Sequence, residues 1–408
     1  MIRGRAHRQL TSGTVALLGV LWTFWPGAEA TGQFPGGARE VRAVWVTRWD
    51  YKTEEDVRNA VRWTSALGFN RIFFQVRGRA DAFYRSSFEP WGEEIGGRDP
   101  GFDPLLVALD EARVAGVDLD AWINVMPGWK GSRSPRNPRH ILHRHPEWFL
   151  VDLRGKRHLK NPNDYTILNP CLPEVRAYLE KIVRDITGRY PVGGIHLDYV
   201  RFIGRGGKAG HDFPYDARSL ALFQKYSGGA PFGRRAAWDK WRRLAVNTVL
   251  HRLAEAARAS RPGCRVSVAA IQDFQRAREG LFQDVVTWQN EGWVDEVYPM
   301  TYVRSPAAFA ARVKNVLGEG LEGKVFPGIG VHLHTRVEET VGQIEVTRAL
   351  GTRGFALFAY AGLFPSPSHE SKSDPQLRQL RSRLRRKIFT LNGGSLAANR
   401  WPVASARE

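Results

Sequence analysis

Gly194-Ile195-His196-Leu197-Asp198-Tyr199-Val200 is a seven-residue run in which apolar and polar side chains alternate. Successive side chains of a strand point to opposite faces. The run therefore predicts a strand with Ile195, Leu197 and Tyr199 turned toward packed helices. His196 and Asp198 point the other way. Seven further short apolar segments share its character: Val41–Arg48, Arg71–Arg77, Asp118–Val125, Arg265–Ile271, Glu296–Tyr302, Val325–Val331 and Gly354–Tyr360. Between them lie stretches with apolar residues at helical spacing, ending at Gly116, Gly188, Gly263 and Gly351 as helices commonly do. Strands alternating with helices imply a parallel sheet. Eight such units in 408 residues match a (β/α)8 TIM barrel, an α/β fold. A doubly wound sheet would carry a Gly-rich phosphate turn after its first strand. Here that strand runs into Trp49-Asp50-Tyr51.

The connections are unequal. Residues 127–173 after the third strand and 201–238 after the fourth are long, and long connections in compact domains usually carry function. Both follow strand C-termini, the end at which barrel enzymes build their sites. If the fourth strand lines such a barrel, Asp198 lies at its mouth. A carboxylate there is costly to bury unless it is paired or used. The same parity turns Gln75 and Arg77 of the second strand, Trp122 and Asn124 of the third, and Tyr298 and Tyr302 of the sixth inward, beside His196. Arg201 follows the fourth strand and His332 the seventh. Amides, guanidinium groups and aromatic rings in one place suit a sugar, whose hydroxyls take hydrogen bonds and whose C–H face stacks on rings. These residues are the expected substrate contacts. Fourteen Trp and eleven Tyr agree with that chemistry.

Hydrolysis of a glycoside needs a second carboxyl group beside Asp198. Asp81, after the second strand, and Asp273, after the fifth, lie nearest predicted strand ends; Glu279 and Asp295 are further candidates, and Asp284 is read as a cap or anchor. Two other readings stay open. The barrel could bind envelope glycan without cleaving it. Alternatively, His196, Asp198, His332 and His334 could hold a metal for a hydrolase or deacetylase. The expectation is that no metal and no cofactor is needed. Nucleophile-elbow, P-loop and H-E-x-x-H patterns are absent from the sequence.

The N-terminus carries Arg3, Arg5 and Arg8, then an apolar run from Val15 to Trp25, then Ala28-Glu29-Ala30. That is the pattern of a cleaved secretory signal peptide over residues 1–30. A barrel domain over 31–390 and a flexible tail over 391–408 complete the expected organisation. The net charge of +19 favours polyanions. For an exported chain this means an acidic wall polymer or an anionic membrane surface, not nucleic acid. A basic helix with Arg378, Arg381, Arg383, Arg385, Arg386 and Lys387 could hold such a surface. Cys171 and Cys264 fall at opposite barrel ends, too far apart to pair.

Several segments resemble the glycosyl-hydrolase-like 10 family. They are Glu40 to Val46, Phe74-Gln75-Val76-Arg77 with Asp81-Ala82-Phe83-Tyr84, and His145-Pro146-Glu147-Trp148 followed by Gly155-Lys156. Leu168-Asn169-Pro170 with Pro173-Glu174-Val175, Gly194 to Phe202, Gln283-Asp284 with Trp288, then Gly292 and Asp295, and Pro299 to Tyr302 continue the match. The resemblance runs from Glu40 to Phe364. It implies a barrel, an envelope or secreted setting and glycoside hydrolase activity, with peptidoglycan glycan strands as a substrate type among relatives. Asp198 matches the family's acidic position on the fourth strand. Gly194-x-His196-x-Asp198 also resembles the amylase nucleophile strand, with His in place of Arg.

Overall fold

The computed structural model describes residues 39–203, 212–321, 323–367 and 374–386. The expected signal peptide, the glycine-rich run 204–210 and the tail from 391 lie outside them. Eight parallel strands form one sheet: β1 (Val41–Val46), β2 (Arg71–Arg77), β3 (Asp118–Asn124), β4 (Gly194–Asp198), β5 (Arg265–Ala270), β6 (Glu296–Pro299), β7 (Gly328–Gly330) and β8 (Gly354–Phe358). Each pairs with its sequence neighbour, and β1 pairs with β8. Between β6 and β7 the ring is joined by two parallel bridges, Val297 with Val325 and Met300 with Gly328. The expected barrel is present. β6 stops at Pro299 and β7 is short, so the sequence reading overextended both.

Local chemistry explains the helices between strands. Thr53 and Asp56 form a reciprocal capping box at the start of Glu54–Leu67, and Gly68 closes it at φ 101°. Asp103 caps Pro104–Ala115, and Gly116 ends it. The outward strand positions Val44, Val46, Ile72, Phe74, Ile195 and Leu197 share one hydrophobic core with the apolar faces of the surrounding helices. The inward positions form a separate aromatic cluster of Trp45, Phe73, Trp122, Tyr298 and Phe326. The barrel is thus filled, with two hydrophobic layers back to back. No described helix is long and apolar enough to cross a membrane. Cys171 and Cys264 are both buried, unpaired thiols.

Closure depends on Gly354. A Cβ there would run into the carbonyl oxygen of Val41 in the neighbouring strand. Gly354→Ala is therefore expected to lose about 1–3 kcal/mol or more in a urea unfolding titration, because the β1–β8 seam must part to admit a methyl group. An unchanged midpoint would show that the seam is slack.

The connection from β3 to β4 contains a two-stranded antiparallel ribbon, Pro127–Gly131 with Asn161–Ile167. It stands at the C-terminal end of the barrel. Arg48, fully buried after β1, anchors it: Nη2 donates to Tyr165 Oη at 3.1 Å, and Nε meets Glu94 at 2.9 Å.

Candidate active site

Asp198 ends β4, directly beside Asn124 at the end of β3. One step lower in the barrel, Trp122 faces His196. Alternation puts all four side chains in the lumen. Asp198 is 7% exposed. The next residue, Tyr199, adopts φ 55°, a left-handed conformation that side chains rarely take and that is often found at functional positions. This turn brings the Tyr199 N–H onto Asp198 Oδ1 at 2.6 Å. Burial pushes the Asp198 carboxyl up to about 6, against the pull of the Arg201 guanidinium and the Tyr199 N–H. The group can thus be protonated at mildly acidic pH, unlike an exposed aspartate.

Around it the mouth is aromatic and polar. The Tyr302 ring stacks on Phe358 at 5.3 Å and meets His332 edge-on at 5.5 Å. Burial and the Asp198 charge hold the Tyr302 phenol well above its usual range. Phe358 also lies edge-on to Trp122 at 6.5 Å. The Arg201 guanidinium sits 4.4 Å above the Tyr199 ring. Among the described residues, Trp122 Nε1, Asn124 Oδ1 and Arg201 Nε are buried polar atoms with no hydrogen-bond partner. Buried polar groups seldom remain unsatisfied, so an indole donor, an amide acceptor and a guanidinium donor here are available to a polyhydroxylated ligand. The structure thus brings together Trp122, Asn124, Asp198, Arg201, Tyr302 and His332.

The other expected site residues lie elsewhere, each for a physical reason. His196 is fully buried below the mouth: its Nε2 accepts from Trp45 Nε1 at 3.0 Å, its Nδ1 meets Ser267 Oγ at 2.8 Å, and its ring stacks on Phe73 at 4.0 Å. Burial and the charge of Arg71 hold it neutral, at about 3. Tyr298 is close to the start of the short β6, so its hydroxyl reaches down to Glu296 at 2.8 Å and to Arg71 at 3.1 Å, in the ionic layer at the N-terminal end. Arg77 leaves the alternation because the pairing with β3 slips between Gln75 and Arg77. It is buried against Glu89 at 2.8 Å and against the carbonyls of Asn124, Val125 and Pro127. Gln75 is buried too, its Oε1 taking the Arg48 backbone N–H at 3.0 Å.

Neither suggested partner carboxylate joins Asp198. Asp81 is 2% exposed, with Oδ1 on the Arg79 N–H at 2.8 Å and Oδ2 on the guanidinium at 3.3 Å. Burial alone would raise it, but Arg79 and Arg48 outweigh burial and keep it below the usual carboxylate range. Asp273 is exposed and caps the helix Phe274–Gly280 by accepting from Arg276 N at 2.9 Å. It lines a 1100 Å³ cavity shared with Arg312 and Glu319 of the next helical connection, away from the mouth residues. Asp295 is tied to Arg258 and to the Val266 N–H at the start of β5. Asp284 pairs with Arg278, and Glu279 with Gln275. His334 bonds Thr340 and the Val303 carbonyl, so the His-x-His pair splits. Among the described residues, no three of His, Cys, Asp and Glu gather as a metal site would.

One acidic residue reaches the mouth that the sequence did not single out. Asp164 is exposed on the ribbon next to Tyr165, whose ring meets Tyr199 edge-on at 5.2 Å. Burial raises the Tyr199 phenol, and the charges of Asp198 and Asp164 both add to that rise. The only sequence signal was the length of the connection that carries it.

Known proteins show related architecture. The structure resembles the PgaB (BpsB) glycoside hydrolase domain of Bordetella bronchiseptica, with a TM-score of 0.62 and 15% identity over 84% of this chain and 98% of that one. The catalytic domain of the Paenibacillus polymyxa β-amylase superposes with a TM-score of 0.57 and 11% identity, over 86% of this chain and 97% of that one. At such identities these likenesses show the fold. In sequence, the chain is 24% identical over 296 residues to glycosyl hydrolase YngK of Bacillus subtilis, covering 65% of this chain and 54% of that protein. It is 25% identical over 263 residues to glycosyl hydrolase DigH of Escherichia coli K12, covering 58% and 55%. The chain thus spans about half the length of the curated relatives it matches. The sequence profile of glycosyl hydrolase-like 10 matches residues 40–334, most of the described barrel. The chain belongs to the glycosyl hydrolase-like 10 family.

Proposed function

We propose that this chain is an exported glycoside hydrolase of the cell envelope, acting on polysaccharide and specifically on peptidoglycan glycan strands, with Asp198 as its general acid. The observation that carries this is a carboxyl group raised to about 6 at the mouth of a barrel, ringed by aromatic faces and unsatisfied polar atoms. Family membership and relatives named as glycosyl hydrolases support the reaction class. The basic and apolar leader ending in Ala28-Glu29-Ala30 supports export.

In this reading Asp198 donates its proton to the glycosidic oxygen as the bond to the anomeric carbon breaks. Asp164 is the carboxylate we pair with it. It is exposed to solvent and its charge reaches Tyr199, which suits a base that takes the proton of the attacking water. Trp122, Asn124, Arg201, Tyr302 and His332 hold the sugar.

The test is to incubate the enzyme with peptidoglycan, with and without its stem peptides, and to identify the products by mass spectrometry. New reducing ends are expected. Asp198 must be protonated to act, so kcat/KM should fall as pH rises through about 6. Asp164→Asn should lose rate as well. Binding of glycan with no new reducing ends at high enzyme concentration would favour a non-catalytic envelope lectin instead.

A further inference from the structure

A second concave site lies on the barrel flank and shares no residue with the mouth. It is a 340 Å³ cavity between the loop after β2, the segment that follows the ribbon's first arm, and the start of the helix Pro173–Arg189. One wall is aromatic. His145 and Trp148 stack at 4.0 Å with their planes 9° apart, and Tyr178 meets Trp148 at 5.5 Å. Phe88 is 41% exposed at its edge, a large apolar ring left in solvent.

The other wall is cationic. Arg139, Arg144 and Lys181 are exposed, line the same cavity, and have no ion-pair partner among the described residues. The acidic residue in the lining, Glu174, is taken up by Arg218. Glu147, just outside it, is paired with His145 at 3.0 Å. Some surface arginines of this basic chain sit beside carboxylates, as Arg85, Arg184 and Arg235 do. Here three unpaired cations face one small concavity beside an aromatic wall.

We infer that this cavity is a binding site for an acidic glycan, one whose pyranose rings carry carboxylates. Ring faces stack on aromatic side chains, and carboxylates take charge-assisted hydrogen bonds from Arg and Lys. The volume is at the small end of ligand pockets, the scale of a few sugar rings and not of a protein or bilayer surface. A polymer held here and at the mouth together would be retained at high effective concentration.

The probe is a short oligogalacturonate, titrated into the full chain by calorimetry. Because binding is read directly, failure of the hydrolase reading leaves this test intact. The parent should bind it, and neutral cello-oligosaccharide should bind much more weakly. Arg139→Ala with Arg144→Ala should weaken binding by about tenfold or more, since each removes a charged hydrogen-bond donor. Phe88→Ala should weaken it as well. Lys314→Ala removes an exposed cation of the helix Pro306–Leu317, which lines a different cavity, and should change nothing. The proposal is overturned if the double variant binds like the parent, or if Lys314→Ala weakens binding equally. It is also overturned if cello-oligosaccharide or phosphatidylglycerol vesicles compete as well as unlabelled oligogalacturonate.

Discussion

Asp198→Asn is expected to abolish most hydrolysis and, at the same time, to make the folded protein more stable at neutral pH. The first effect follows from its assigned role: losing a general acid costs about 10²–10⁴-fold in rate. The second follows from its burial. Folding moves this carboxyl from 3.8 to about 6. At pH 8 it is ionised in both states, and the folded state bears the cost of a buried carboxylate, on the order of 3 kcal/mol. The sign is definite. A raised folded-state value gives stability that is complete below about pH 4 and is lost as pH rises through about 6. Asparagine does not titrate, so the variant should exceed the parent in urea midpoint at pH 8, with the gap closing toward pH 4. Only a residue whose ionisation is penalised by its site gives both results together. A variant that is inactive but destabilised at every pH would mean that Asp198 holds structure, and a fully active variant would remove it from the chemistry.

Arg77→Ala should be the most damaging single change in the barrel's upper half, with about 3–5 kcal/mol lost. Arg77 and Glu89 are both completely buried and meet at 2.8 Å. Burial already pushes the Glu89 carboxyl above its ordinary value, even with Arg77 beside it. Removing the arginine would leave a carboxylate without its counter-charge in the interior. It would also free the carbonyls of Asn124, Val125 and Pro127, which the guanidinium gathers at the end of β3. Those carbonyls carry Asn124 and the root of the ribbon, so glycan affinity should fall along with stability. The double change Arg77→Met with Glu89→Leu removes both charges at once, and it should recover much of the lost stability because no ion is left unpaired. Chemical denaturation of the parent and the two variants decides the matter. If the double variant is no better than Arg77→Ala, the damage lies in lost packing and not in the stranded charge.

The failure to read Arg77 from sequence has a specific cause. Parity along a strand predicts facing only while the register holds. A one-residue slip between Gln75 and Arg77 turned an expected sugar contact into an internal brace. Tyr298 was misplaced for a related reason: it does face the lumen, but β6 ends at Pro299, and depth along the barrel cannot be read from alternation alone. His196 likewise faces inward, yet Trp45 and Ser267 occupy both its ring nitrogens and Phe73 covers its face, so it has nothing left to offer a ligand. Asp164 was invisible because a ribbon inside a connection has no strong periodic signal.

What the sequence determined by itself was the set of elements and their facing. Alternating apolar residues and glycine stops specify eight strands with helices between them, and those patterns are local, so no partner is needed to read them. Tertiary structure alone decided which inward residues stand at the open end. That depends on barrel height, on the slip in β2 and on the left-handed turn at Tyr199. It also decided which charges are spent on one another: whether a buried carboxyl is raised to about 6, as in Asp198, or held low by arginines, as Asp81 is by Arg79 and Arg48, depends on the depth of burial and on which side chains the fold brings into contact.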